Sequence, residues 1–86
     1  MKEKFDKLYE MLYSSDLETN LLSVSLIKED PDFNWIYTQA EDFEHYRPSY
    51  DINYFNFFQV TDINIIILHR VRFVIADELN KNGKFN

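Results

Sequence analysis

The sequence predicts an all-α protein, a small helical bundle of four to five helices in a single domain spanning 1–86. Three observations lead there. A single Gly and two Pro in 86 residues provide for few tight turns, whereas a barrel or sandwich needs many turn residues. Apolar residues recur at helical spacing along much of the chain. Ser15 and Asp30-Pro31-Asp32 carry the chemistry of helix starts. The alternative is α+β: three N-terminal helices with a C-terminal β-hairpin, its strands at about 50–60 and 63–75.

Over residues 2–14, Phe5, Leu8, Tyr9, Leu12 and Tyr13 fall at the spacing of one helical face. Glu3 and Lys7 stand four apart on the other side, in the favourable order. Ser14-Ser15-Asp16 interrupts, and Ser15 with Glu18 fits a capping box, each side chain satisfying the other's free backbone N–H. A second helix over about 16–28 is expected to bury Leu17, Leu21 and Val24, with Leu22, Leu26 and Ile27 on its flanks. The Ser23-Val24-Ser25 alternation leaves a strand open there. These two helices resemble one helical hairpin of the HEAT or armadillo kind, a pattern shared by many bundles that assigns no family.

Asp30-Pro31-Asp32 is the strongest helix start. Asp30 can cap, Pro31 suits the first turn because its missing N–H would be unpaired there, and Asp32 favours the positive end of the dipole. A third helix over 31–45 would bury Phe33, Ile36, Tyr37, Ala40 and Phe43 and end before Arg47-Pro48. Thr61-Asp62 can start a last helix running to 81, with Gly83 as terminator. Its apolar residues lie nearly all round, which suits a central helix or a self-association face. The same stretch also alternates like a strand at Ile63, Ile65, Ile67, Val71, Phe73 and Ile75. Tyr50, Ile52, Tyr54, Phe58 and Val60 alternate upstream, which is the basis of the hairpin alternative.

Charge and missing parts exclude several functions. The net charge is −6, and the only basic knot is His69-Arg70-x-Arg72, so neither a nucleic-acid footprint nor an anionic membrane surface is matched. The longest apolar run, Ile65 to Leu68, falls far short of the roughly 20 residues of a membrane span. Met-Lys-Glu-Lys-Phe-Asp-Lys lacks the apolar stretch of a signal peptide, so a cytoplasmic protein is expected. With no Cys, disulfides and thiolate chemistry are out. None of the five Ser has a nucleophile-elbow context and the lone Gly is at 83, so phosphate-cradling loops are absent too. Glu41 and His45 stand four apart but have no third ligand, and His69 reads as a hydrogen-bonded or surface histidine. Paired carboxylates at Glu41-Asp42-Glu44 read as a solvated run. No enzyme, cofactor or metal is expected, with metal-assisted catalysis at Glu41 and His45 a distant third reading.

What remains is binding to another protein. Trp35, Gln39, Asp42 and Tyr46 lie within about 60° on the third helix, opposite its apolar stripe. Trp and Tyr are favoured interface anchors, and the competing reading puts Trp35 in the core. Phe43 to Phe58 holds seven aromatics in sixteen residues, Tyr50 among them. Acids run through the same region at Glu29, Asp30, Asp32, Glu41, Asp42, Glu44 and Asp51. Trp35, Gln39, Glu41, Asp42, Glu44, Tyr46 and Tyr50 are therefore the candidate partner-binding residues, facing a partner with a basic surface. Phe, Tyr, Met, Ile, Asn and Lys total 38 against 8 for Gly, Ala, Arg and Pro. That bias matches A/T-rich coding and fits an inhibitor of a host or defence protein encoded by a phage or mobile element, acting in the host cytoplasm. The alternative function is a homodimeric structural or regulatory subunit, with 62–81 as its self-association helix.

Overall fold

A computed structural model describes residues 2–42 and 62–81. Within them run α1 (Lys2–Leu12), α2 (Leu17–Glu29), α3 (Asn34–Glu41) and α4 (Ile63–Lys81). There is no strand among the described residues, and the chain is a small all-α bundle. The hairpin alternative is overturned at its second strand, because 63–75 lies wholly inside α4. Its first strand, 50–60, lies outside the described residues. Ile67, Leu68, Val71, Val74 and Ile75 are all buried in α4. An alternating pattern and a helix packed over a wide arc bury many of the same positions, and only the neighbouring helices decide between them. Asp62 opens α4 as expected, its carboxylate accepting the Asn64 N–H at 2.9 Å and its carbonyl the Ile66 N–H at 3.0 Å.

One core joins the four helices. Phe5, Leu8 and Leu12 come from α1, Val24 and Ile27 from α2, Ile36 and Ala40 from α3, and Phe33 from the turn before it. The α4 residues named above complete the cluster. α2 packs against each of the other three helices, and α3 against α4 as well. The buried α1 face is narrower than the periodicity implied, since Tyr9 and Tyr13 stay exposed. Their rings stack on each other at 4.7 Å between centroids, tilted by 38°.

The corner between α1 and α2 is built from polar groups. An α-helix leaves its last carbonyls without intrahelical partners, and α1 has no glycine to close it. Asn20 does so from α2, its Nδ2 donating to the carbonyls of Met11 (2.9 Å), Leu12 (3.1 Å) and Ser14 (2.9 Å). Two amide hydrogens for three acceptors means that one hydrogen is shared. Arg72 reaches the same Leu12 carbonyl from α4 with Nε at 3.1 Å and Nη2 at 2.7 Å. A cation at the negative end of a helix is favourable, and this one also lies 5.2 Å from the centre of the Tyr13 ring. Ser23, fully buried, donates to the Asn20 carbonyl at 2.6 Å.

Two expected caps are placed differently. The Ser15–Glu18 capping box is replaced by Asp16, whose carboxylate accepts the Thr19 N–H at 3.2 Å and the Thr19 hydroxyl at 2.6 Å. A carboxylate is a stronger acceptor than a hydroxyl at the positive end of a helix. Those bonds hold the Asp16 carboxyl below its ordinary pKa, the Thr19 hydroxyl contributing most. Asp30, expected to cap the third helix, instead closes α2 and starts a turn, accepting the Asp32 N–H at 2.8 Å. Its carboxylate also meets Lys4 Nζ at 2.9 Å, and the same ammonium reaches Asp32 at 2.9 Å. These bonds raise the Lys4 pKa, and the Lys4 bond is the chief cause that lowers Asp30. The turn drops Phe33 into the core, 5.9 Å from the Phe5 ring, so α3 proper starts three residues later than expected. It also ends early. At Asp42 the backbone becomes extended and its N–H bonds the Gln39 carbonyl, well before Arg47-Pro48. Residues 43–45 of the expected helix lie outside the described residues.

Candidate functional site

Of the seven candidate residues, the structure places four. Trp35 is half-buried and packs against the core cluster. Gln39 and Glu41 are exposed, and Asp42 is half-buried as the cap of α3. Glu44, Tyr46 and Tyr50 lie outside the described residues, as does His45. The face expected to run from Trp35 to Tyr46 is therefore seen only at its first three members. His69 is half-buried on α4 between neighbours that face the core.

A different surface stands out, on α2. At 100° per residue, its buried residues Asn20, Ser23, Val24 and Ile27 share an arc of about 100°. Glu18, Leu22, Ser25, Leu26 and Glu29 occupy an arc of similar width on nearly the opposite side, and all five are exposed. Leu22 is 53% and Leu26 44% exposed. The usual order is reversed in part: an amide and a hydroxyl point inward beside Val24 and Ile27, while two leucines point out among Glu18, Ser25 and Glu29. The expected burial of Leu17, Leu21 and Val24 is corrected accordingly. Leu17 is exposed, Leu21 is half-buried, and the inward face is turned by roughly 80° from the expected one. The cause is the α1 terminus. Its carbonyls need a donor, and turning Asn20 to meet them swings Leu22 and Leu26 outward.

The stripe has a simple charge layout. Glu18 leads and Glu29 ends a line about 16 Å long at 1.5 Å per residue, with the leucines between them. Lys28 is on another side of α2, its ammonium 5.1 Å from the centre of the Tyr37 ring. No cation interrupts the stripe.

On that other flank α2, α3 and α4 enclose a groove of about 450 Å³. Leu21, Val24, Tyr37 and Ile67 form its walls, while Ser25, Lys28, Glu41, Ile63 and Asn64 stand at its exposed edge. The size suits a small ligand, but among the described residues the lining contains no histidine to activate the Ser25 or Tyr37 hydroxyl. Among the described residues no three His, Cys, Asp or Glu are grouped to hold a metal ion. Nor is any helix there long and apolar enough to cross a membrane.

The sequence reading placed Leu22 and Leu26 on the flanks of α2 and so missed the stripe. Asn20, Ser23, Val24 and Ile27 are themselves at helical spacing, but the leucines lie all round the helix and nothing in the periodicity selects that face over the others. Compared with protein-family models, curated proteins and solved structures, the chain matches none.

Proposed function

We propose that this chain is a small protein-binding module that presents the outward stripe of α2 to another protein. The observation that supports it is the pair of exposed leucines four residues apart, framed by Glu18 and Glu29 on a helix whose inward face is already filled. Exposed apolar residues gathered on one element mark interaction surfaces more often than scattered ones do. An antagonist of a host or defence protein is the narrower form of this reading, and its support is the composition bias alone. The homodimer reading assigned self-association to 62–81. Of the large apolar residues in α4, Ile63 is the one left exposed, so that surface supports it weakly.

The test is affinity capture from cells of the source organism with the whole chain and with Leu22→Asp/Leu26→Asp. The reading expects a defined protein that the parent chain retains and the double variant loses, while circular dichroism of the two stays the same. A set of captured proteins identical for both chains would refute it.

A further inference from the structure

We infer that the stripe on α2 is built to receive a basic amphipathic helix of another protein, and that it is set against self-pairing. The inference rests on the protein-binding reading above and adds the chemistry of the partner.

The charge layout carries the argument. If a second copy packed its α2 antiparallel on this one, with Leu22 facing Leu26, Glu18 would come within one residue of Glu29 of the other copy. In a parallel pairing each glutamate would face its own counterpart. Either arrangement brings like charges together at both ends of the contact, which opposes association. A helix carrying Lys or Arg at both ends of a short apolar segment meets the same stripe with opposite charges and matched leucines. To pair with Glu18 and Glu29 together, its cations need a spacing of about 16 Å, or eleven residues, in a nearly aligned crossing. The occupant is a helix because Leu22 and Leu26 form a four-residue ridge of the kind that helices interlock. No strand edge exists among the described residues to pair with an extended peptide.

Two further points bear on the contact. Glu29 is in the last turn of α2, where the dipole disfavours an anion, so its replacement by a cation should not harm the fold. A stripe of this length on one helix covers far less than the ~800 Å² per partner of a standard stable interface. The complex is therefore weak and transient, with a dissociation constant on the order of micromolar or above.

The test uses three synthetic helical peptides read by fluorescence anisotropy against the full chain at low and moderate salt. One has Lys at its first and twelfth positions and Leu at the fifth and ninth. The second carries Glu in place of Lys, and the third scrambles the first at constant composition. The basic peptide should bind at least about tenfold more tightly than either of the others and weaken as salt rises. Glu29→Lys should cut its affinity several-fold without lowering the melting temperature. Glu10→Lys, the same change in net charge placed on α1, should cut it far less. Equal binding of all three peptides, or equal loss in the two charge variants, would overturn the inference. So would a salt-insensitive dimer that dissociates on Leu26→Asp, because a second copy would then occupy the stripe. If capture in cells still depends on Leu22 and Leu26 while the peptides show no charge preference, only the partner chemistry fails. If capture does not depend on them, the protein-binding reading itself fails.

Discussion

The two faces of α2 are composed in opposite senses. The inward face sets Asn20 at the end of α1 and Ser23 against the Asn20 carbonyl, beside Val24 and Ile27, and the outward face leaves two leucines in water. In most surface helices the apolar stripe turns in and the polar residues turn out. What the difference teaches is that a hydrogen-bond debt elsewhere can set a helix's rotation against its own hydrophobic pattern. An unpaired buried carbonyl costs about 1–3 kcal/mol. Keeping one leucine side chain half-exposed forfeits only part of the ~1.5–3 kcal/mol of its full burial. The α1 carbonyls decide the orientation, and the leucines become available to a partner.

The sharpest way to break this comparison is at the corner where α1 ends. Leu12 is fully buried there, and Leu12→Ala should cost about 3 kcal/mol, a large fraction of the ~5–15 kcal/mol of a small domain. Urea unfolding of parent and variant measures it. Asn20→Ala comes next. It removes the amide from three carbonyls, of which Leu12 keeps Arg72 and Met11 keeps the Ser14 N–H, and should cost about 2 kcal/mol. A loss below about 0.5 kcal/mol would mean that Asn20 does not set the rotation of α2.

A smaller effect, read by pH, comes from the two ends of α2, from Lys4 in α1 and from Tyr13 just past it. The lowered pKa of Asp16 and Asp30 means that their contributions are complete above the ordinary carboxylate range. They are lost as pH falls through the lower folded-state values. Lys4 is raised by Asp30 and Asp32, and Tyr13 is raised chiefly by burial. Their contributions hold below about pH 10 and disappear as pH climbs through the raised values. Melting temperature should therefore be flat from about pH 5 to 9 and fall at both ends. Lys4→Met should blunt both falls, because it removes the cation that shifts Asp30. Equal slopes for variant and parent would contradict that link.

Much of the fold was legible because it depends on local signals. α1, α2 and α4 begin and end within about two residues of their expected limits, since periodicity and cap residues act within a few positions. The rotation of α2 was not legible. Leu17, Leu21, Leu22, Val24, Leu26 and Ile27 surround the helix, so periodicity alone selects no face, and the deciding contact runs from Asn20 to a different helix. The start of α3 was misread for a similar reason. Asp30 has the right chemistry for a cap, but its bond to the Asp32 N–H builds a turn rather than the helix, and Lys4, far away in sequence, holds the same carboxylate. Of the candidate site, Trp35 was open between core and surface, and packing against the cluster draws it inward. Glu41 and Gln39 remain outside, on a different helix from the leucine stripe.

The smallest expected effect is also the most direct test of the central claim, that the outward leucines serve no purpose in the fold. Thermal unfolding of Leu22→Ser/Leu26→Ser by circular dichroism should show a melting temperature within about 3 °C of the parent, unchanged or slightly higher. In a domain of this size 1 kcal/mol is worth about 4–8 °C, so a fall of 10 °C or more would show that the two leucines are packed, and the account of α2 would be wrong.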